Sequence, residues 1–332
     1  MTHQPLKAIR IQALLVFAVP LFSLGEMPVI EAVFSPAPGI GPQEGVMRRD
    51  PSDIIKVGDR YHVWYSKGKF SHGYDASIWH ASSPDGKVWT EDGEALPRGA
   101  VGAWDEQSVF TPNILVAESK YWLFYTAVPK PFVASGPGLT RTAIGVASAD
   151  SPAGPWKRFA GNPVLKPRGD ESYFDGARVD DSCLIVRNGR YLLYYKGRQG
   201  IKTTPHETKM GLAIADRPQG PYTRVQDGPV IDGGHEVLVW PQGTGVAALL
   251  SNHGPDEVKS RIHFSRDGIH FEPAQRISPT PSGAGAYRPD AFTGSKQGRP
   301  IQWGIHILNR KAGLPSLERF DLRWPGAIQD EK

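Results

Sequence analysis

The sequence predicts an all-β protein with the architecture of a five-bladed β-propeller. One observation is a repeat: residues 49–68 (RDPSDIIKVGDRYHVWYSKG) and 179–197 (VDDSCLIVRNGRYLLYYKG) share an order of acidic residue, apolar run, Gly-containing turn and aromatic strand. A second is a set of Asp-, Gly- and Pro-rich turns that follow apolar strands. A third is composition, since 37 Gly and 30 Pro are spread along the chain and no long apolar run has the period of a helix.

The first half of the repeat sets the number of units. Asp50 stands eleven residues before Tyr61, and Asp180 stands eleven residues before Tyr191. Weaker copies of the pattern begin at Phe110, His235 and Asp290. The five starts are separated by 55 to 70 residues, which is typical of a radially repeated unit that cannot bury its faces alone.

The second half of each unit is an apolar strand that enters a turn and then reaches an aromatic residue. The pattern occurs at residues 77–89 (SIWHASSPDGKVW), 143–156 (AIGVASADSPAGPW), 210–222 (MGLAIADRPQGPY) and 261–271 (RIHFSRDGIHF). Gly and Asp accept the backbone angles of hairpin turns, so these segments predict antiparallel pairs and about four strands per unit. Radial repetition of such sheets leaves only short edges. We expect residues 317–324 to close the last unit by pairing with the segment around Val33 and Phe34.

Residues 1–26 are predicted to be a secretory signal peptide. Lys7 and Arg10 precede the apolar residues 11–25 (IQALLVFAVPLFSLG), which are too few and too interrupted by proline for a membrane span. An uncleaved anchor and an unstructured leader are the alternatives. Residues 27–332 are then a single propeller domain, periplasmic or secreted, with no stable membrane insertion after signal cleavage. Cys183 is the only cysteine, so the fold does not depend on an internal disulfide.

Charge and motifs argue against several classes of function. The formal net charge of +4 and the pI near 9.0 come from basic residues interspersed with acidic ones, whereas nucleic-acid binding needs a concentrated basic face. The chain has no CxxC, HExxH, EF-hand, Walker or GxSxG sequence. His62, His72 and His80 lack the spacing of zinc ligands. No cofactor and no metal site are predicted, and a divalent cation in the central channel stays open as an alternative.

The chemistry is predicted from the residues that begin the innermost strands, because these strands line the central funnel of a propeller. The predicted catalytic residues are Asp50, Asp180, His235 and Glu236. Glycoside hydrolysis needs an acid that protonates the leaving oxygen and a base or nucleophile on the other face of the sugar. Crowded carboxylates supply both, since repulsion and burial separate their proton affinities. The alternative is that these acids only cap turns or pair with arginine.

Four segments resemble glycoside hydrolase family 117. They are RDPSD at 49–53, YFDGARVDD at 173–181, KMGLAIAD at 209–216 and GGHEVLVWP at 233–241. The resemblance extends over roughly residues 46–310, and more distantly to the furanosidase-like propeller families 43 and 32. It implies a five-bladed propeller that releases 3,6-anhydro-L-galactose from the non-reducing end of neoagaro-oligosaccharides, with inversion at the anomeric carbon.

The resemblance also implies a role for each catalytic residue. Asp50 corresponds to the general base that activates water. Asp180 corresponds to a residue that tunes proton affinity and holds a sugar hydroxyl, with neighbouring Asp181 as the alternative. The acid is either His235, oriented by Glu236, or Glu236 itself. We favour His235, because an imidazole can protonate a leaving oxygen near neutral pH without deep burial.

The predicted substrate-binding residues are mostly aromatic or charged. An aromatic ring suits the apolar face of a sugar, and a cation suits hydroxyl, carboxylate or sulfate groups. They are Arg49, Trp104, Arg178, Asp181, Lys196, Arg288 and Asp290.

The predicted partner is an oligosaccharide, and the protein is expected to be a monomer or a homodimer. Only some twenty residues separate the signal-like stretch from Arg48, which disfavours the domain-swapped dimer that is typical of the family. Two other functions stay open. One is a furanosidase-like hydrolase acting on arabinose-, xylose- or fructose-containing glycans, and the other is a non-catalytic carbohydrate-binding propeller.

Overall fold

The computed structural model describes residues 29–204, 207–250, 259–289, 291, 298–309 and 313–325. These residues form 21 β-strands and contain no helix, so none of the described segments is a helix that could cross a membrane. The predicted signal peptide at residues 1–26 lies outside the described residues.

The first three blades follow the chain order. Blade 1 contains β2 (Met47–Arg49), β3 (Ile55–Val57), β4 (Arg60–Gly68), β5 (Ser77–Ser83) and β6 (Thr90–Leu96), with β2 and β3 both paired to β4. Blade 2 contains β7 (Ser108–Ala117), β8 (Lys120–Val128), β9 (Ala143–Ala149) and β10 (Lys157–Arg158). Blade 3 contains β11 (Arg178–Arg187), β12 (Arg190–Arg198), β13 (Thr208–Ala215) and β14 (Thr223–Arg224).

The last two blades are joined in one eight-stranded sheet. Blade 4 contains β15 (Val237–Gln242), β16 (Gly245–Leu250), β17 (Arg261–Ser265) and β18 (Glu272–Ser278). Blade 5 contains β19 (Gly285–Ala286), β20 (Trp303–Leu308), β21 (Ser316–Arg323) and the N-terminal β1 (Val29–Pro36). β1 pairs antiparallel with β21, with Val33 opposite Asp321 and Phe34 opposite Phe320. The predicted closing pair and the five-bladed propeller are confirmed.

The predicted hairpin turns join the outer strands of the blades. The pairs β5–β6, β9–β10, β13–β14 and β17–β18 are all antiparallel. In the first and last of these turns an aspartate caps the chain, because Asp85 Oδ1 accepts the backbone N–H of Lys87 at 2.8 Å and Asp267 Oδ1 accepts that of Ile269 at 2.8 Å. The Asp-Gly sequences therefore form the turns between strands.

The innermost strands of blades 1 to 3 are interrupted at a common level. The pairing register shifts between Phe110 and Asn113 in β7 and between Asp180 and Cys183 in β11, while β2 and β3 are separate strands. Backbone φ is +50° at Asp50, +48° at Thr111 and +49° at Asp181, a left-handed conformation that is uncommon for residues with a Cβ atom. Bulges of this kind aim a side chain away from the sheet, here into the central channel.

These interruptions shift the predicted repeat by one residue after blade 1. The residues at the level of Asp50 are Thr111, Asp181 and Glu236. The eleven-residue rule had placed Phe110, Asp180 and His235 there. The gap between β2 and β3 adds a residue to blade 1, so the distance to the aromatic strand is eleven residues there and ten in blades 2 to 4.

Among the described residues of blade 5, a glycine lies at this level. Gly283 has φ of +50°, matching the aspartates, and a Cβ atom on it would lie 2.5 Å from Ile307 Cδ1. Asp290 itself lies outside the described residues. The fifth blade therefore contributes backbone, and no carboxylate from its described residues, to the channel wall.

Candidate active site

Three carboxylates from three blades meet in the central channel. Asp50 comes from blade 1, Asp181 from blade 3 and Glu236 from the start of blade 4. The cavity between them has a volume of about 30 Å³. Its remaining lining residues are Pro51, Asp53, Thr111, Pro112, Asn113, Ser182, Cys183, Val237, Leu238, Gly283 and Ala284. The structure thus brings together Asp50 and Glu236, as predicted from the strand starts.

Asp50 is held by a guanidinium and a hydroxyl. Arg49 Nε lies 2.9 Å from Asp50 Oδ1 and 3.0 Å from Oδ2, and Ser66 Oγ donates to Oδ2 at 3.2 Å. Burial lowers the pKa of Arg49, but the charges of Asp50, Glu236 and Asp181 raise it more, so the guanidinium stays positive. Arg49, a predicted substrate-binding residue, is therefore the ion-pair partner of Asp50.

Asp181 is the most perturbed acid of the site. Burial raises the pKa of Asp181 to about 7; the ion pair with Lys196 Nζ opposes this rise, and the charges of Asp180, Asp50 and Glu236 add to it. Burial lowers the pKa of Lys196, but the nearby carboxylates raise it above its ordinary value. Asp181 can therefore change protonation near neutral pH, while Lys196 remains a cation.

Asp180 faces away from this cavity. Its Oδ1 accepts a hydrogen bond from the Thr142 hydroxyl, which also donates to the Val179 carbonyl at 3.3 Å. Successive strand residues point to opposite faces, and the bulge places Asp181 rather than Asp180 on the channel side. Of the two alternatives left open by the sequence, Asp181 is the one that lines the cavity.

His235 and Glu236 are neighbours with different exposure to the cavity. His235 Nε2 lies 3.9 Å from Glu236 Oε1, and both side chains are largely buried. Glu236 lines the cavity and His235 does not. Glu236 Oε2 is buried and makes no hydrogen bond within the described part of the chain.

Three other predicted contact residues do not line this cavity. Trp104 packs 6.0 Å from the Tyr125 ring and lines a separate pocket of about 330 Å³ with Arg141 and Lys166. Arg178 is 2% exposed and donates to the carbonyls of Thr140, Val133 and Ala134 and to the Tyr74 hydroxyl. Arg288 lies deeper in the channel.

A second polar level is formed by Asp53 and Asn113, which also line the cavity, together with Arg288 of blade 5. Arg288 Nη1 lies 2.8 Å from Asp53 Oδ2, and Asn113 Nδ2 donates to the same oxygen at 3.3 Å. Arg288 Nη1 also donates to the carbonyls of Leu184 and Val239, at 3.0 and 3.1 Å. Arg288 was predicted to contact substrate, but its guanidinium pairs with Asp53 instead. The physical reason is that a fully buried guanidinium needs a buried carboxylate.

Sequence reasoning did not single out Asp53, Ser66, Tyr74, Thr111, Asn113 or Thr142. Asp53 was visible as the last residue of RDPSD, and a second acid three residues after Asp50 could have been assigned to a deeper level of the same strand. The others are polar residues of inner strands or of the loops beside them, and only their neighbours in space reveal them.

The described residues contain no group of three or more His, Cys, Asp or Glu side chains arranged to hold a metal ion. At the deeper level the chain supplies its own cation, Arg288, beside Asp53. The arrangement of the upper level suits proton transfer, because acids with different surroundings share one small cavity.

Known proteins with this fold include several glycoside hydrolases. The family model for glycosyl hydrolases family 43 matches residues 45–183. A solved structure of Zg3597, a family 117 glycoside hydrolase produced by the marine bacterium Zobellia galactanivorans, is 32% identical, with a TM-score of 0.77 over 89% of this chain and 90% of that chain. Fructan 1-exohydrolase IIa from Cichorium intybus has a TM-score of 0.58 at 15% identity, covering 84% of this chain and 56% of its own, and shares the fold alone.

Curated relatives give a weaker match. An uncharacterized protein of Mycobacterium tuberculosis is 24% identical over 223 residues, which are 61% of this chain and 65% of that protein, just under two thirds of its length. The family is decided by the solved structure: at 32% identity across about nine tenths of both chains, the chain belongs to glycoside hydrolase family 117.

Proposed function

We propose that the protein is an inverting, exo-acting α-glycosidase that releases 3,6-anhydro-L-galactose or a related sugar from the non-reducing end of oligosaccharides. Family membership supports a glycosidase. The observation that carries the proposal is the meeting of Asp50, Asp181 and Glu236, from three blades, around one cavity. Inverting hydrolysis needs a base that activates a water molecule on one side of the sugar and an acid on the other.

Asp50 is the proposed general base. Its carboxylate lines the cavity, and Arg49 provides a countercharge while Ser66 fixes one oxygen. A carboxylate fixed in this way can accept a proton from a water molecule as the oxygen of that water attacks the anomeric carbon.

Glu236 is the proposed proton donor, with His235 as its partner. The sequence alone favoured His235 as the direct donor, but Glu236 is the member of the pair that lines the cavity. Its buried Oε2 makes no hydrogen bond to a described residue, as suits an atom that meets the leaving oxygen. His235, 3.9 Å from Oε1, is placed to orient this carboxyl group.

Asp181 is the proposed tuning residue, in the role that the resemblance gave to Asp180 or Asp181. With its pKa raised to about 7, it can donate a hydrogen bond to a sugar hydroxyl at mildly acidic pH. The charge of Lys196 limits that rise in pKa.

The proposed location is the periplasm or the extracellular space, on the basis of the basic and apolar residues 1–26. An oligosaccharide substrate outside the cytoplasm agrees with this location. The protein is proposed to act as a monomer or a homodimer.

Incubation with neoagarobiose, with ¹H NMR detection of the first anomer formed, tests the proposal. We expect release of 3,6-anhydro-L-galactose, with the first product anomer opposite in configuration to the substrate bond. Hydrolysis only of arabinose-, xylose- or fructose-containing glycans would instead support the alternative function, a furanosidase-like hydrolase. The family 43 match is consistent with this alternative. Binding of these sugars without turnover would support a carbohydrate-binding propeller.

A further inference from the structure

A second, larger cavity opens on the protein surface next to the carboxylates. It has a volume of about 660 Å³ and lies between the loop after β4 and the loop after β8. Its lining residues are Phe70, His72, Tyr74, Asp75, Gln107, Lys130, Pro131 and Phe132.

Four of these residues form a row of nearly parallel rings, which we call the aromatic wall: Phe70, His72, Tyr74 and Phe132. Ring centroids are 5.6 Å apart for Phe70 and His72, 5.6 Å for His72 and Tyr74, and 4.1 Å for Tyr74 and Phe132, with interplanar angles of 24° to 27°. Phe70 ends the row and is 57% exposed. A large apolar side chain left this exposed is a candidate contact for a ligand.

The inner end of the aromatic wall reaches the active site. Arg178 Nη1 donates to the Tyr74 hydroxyl at 3.2 Å, and burial and the charge of Asp180 raise the pKa of that hydroxyl. Arg49, the partner of Asp50, donates through Nη1 to the Ser71 carbonyl at 2.9 Å, within the loop that carries three of the rings. One guanidinium therefore ties the wall to the proposed base.

We propose that the aromatic wall binds the part of the oligosaccharide beyond the cleaved bond, with Phe70 contacting a sugar more distant than the first leaving unit. The inference rests on the proposed function. If the terminal sugar binds beside Asp50, as the proposed function requires, the next sugars pass Arg49, which bonds both Asp50 and the Ser71 carbonyl of the loop that carries the wall.

The chemistry of the cavity fits a sugar chain. Aromatic faces pack against the C–H face of a pyranose, while the polar residues of the cavity suit its hydroxyl groups. Gln107 Nε2 donates to the Tyr74 carbonyl at 2.8 Å, which leaves its amide oxygen for a ligand. Lys130, paired with Glu106 at 2.7 Å, is half exposed at the edge.

The test compares Phe70→Ala with the unchanged protein on neoagarobiose and neoagarohexaose. We expect kcat/KM for the hexasaccharide to fall about tenfold and that for the disaccharide to change less than twofold. Phe70→Tyr keeps a ring and should retain the hexasaccharide rate. Phe159→Ala, at another exposed phenylalanine (38%), is the matched control and should alter neither rate.

Binding measured in the Asp50→Asn background separates this inference from the proposed function. There, Phe70→Ala should weaken neoagarohexaose binding about tenfold in calorimetry, whether or not the native protein hydrolyses it. An equal loss for both sugar lengths, or no loss for either, would overturn the wall as a distal subsite while leaving the glycosidase proposal intact. Native protein that neither cleaves nor binds these probes would overturn both.

Discussion

The central channel has two polar levels, formed by inner segments of the blades, and they differ in how their carboxylates are paired. At the upper level, Asp181 is buried with a strongly raised pKa, and Glu236 Oε2 makes no hydrogen bond to a described residue. Three residues after Asp50, in the segment between β2 and β3, Asp53 contacts the guanidinium of Arg288, the amide of Asn113 and the backbone N–H of Ala286.

The difference shows that one level of the channel stabilises the fold while the other is available for catalysis. A carboxylate whose hydrogen bonds come from the protein stabilises the channel, because its buried charge is compensated. At the upper level Asp50 is held by Arg49 and Ser66, whereas Glu236 Oε2 has no such partner, which costs stability but leaves this oxygen available to a substrate. The backbone marks the boundary, since the left-handed residues Asp50, Thr111 and Asp181 lie at the upper level only.

Asp50→Asn should produce the largest effect. Loss of the base should reduce kcat by about 10²- to 10⁴-fold. Asparagine tolerates the left-handed backbone at this position, and Arg49, which is 21% exposed, keeps its hydrogen bond to the Ser71 carbonyl, so the free energy of unfolding should change by only about 1 kcal/mol. Product release followed by NMR, together with urea unfolding, checks both values. Retained turnover would remove Asp50 from the mechanism.

Asp53→Asn is the matched substitution at the lower level and should show the reverse. It takes a buried carboxylate away from the buried Arg288 guanidinium, which should cost about 3 to 5 kcal/mol of unfolding free energy. Urea unfolding measures this, and activity per folded molecule should fall much less than in Asp50→Asn. Equal stability losses for the two variants would contradict the division into two levels.

Lys196→Met should shift the pH dependence of the upper level. Lys196 lowers the pKa of Asp181, so its removal should raise that pKa from about 7 by about one to three units. Asp181 then stays protonated to higher pH, and the limb of the kcat/KM profile near pH 7 should shift to higher pH. Lys67→Met is the control, because Lys67 pairs with Glu91 at 2.5 Å in blade 1, and it should leave the limb in place.

Cys183→Ala should give the smallest effect. The Cys183 thiol contacts the Val239 backbone, with Sγ 3.3 Å from its N–H and 3.4 Å from its carbonyl oxygen. Losing these weak hydrogen bonds and a small volume should cost about 1 kcal/mol, seen in urea unfolding, with kcat unchanged. A variant with native stability and a large loss of kcat would instead show that Cys183 acts in catalysis.

Much of the fold could be predicted because a propeller repeats its signals locally. Turn sequences such as those around Asp85 and Asp267, and the aromatic strands after Asp50 and Asp180, report local backbone requirements that any single blade must meet. The closing pair of β1 and β21 was predictable for a related reason, since the last unit lacked a strand and the N-terminal segment offered one.

The candidate site could be predicted only in part. Asp50, Glu236, Asp181 and Lys196 were identified by residue type and position, but Asp180 was placed in the register that Asp181 occupies. A bulge shifts side chains by one residue without changing composition, so counting along the sequence could not detect it. Arg178 and Arg288 were predicted to contact a ligand, because residue type alone does not distinguish an arginine held by buried carbonyls from one that binds a substrate.

By itself, the sequence determined the five blades, the hairpins and the set of acids available to the channel, because turn chemistry and alternating strand patterns act over a few residues. Only the tertiary structure decided which acid faces the cavity and which acid pairs with Arg288. It also decided where the aromatic wall lies relative to the carboxylates. Those outcomes depend on contacts between blades that lie far apart in the chain, where burial and partner charge, rather than residue type, set the role of each group.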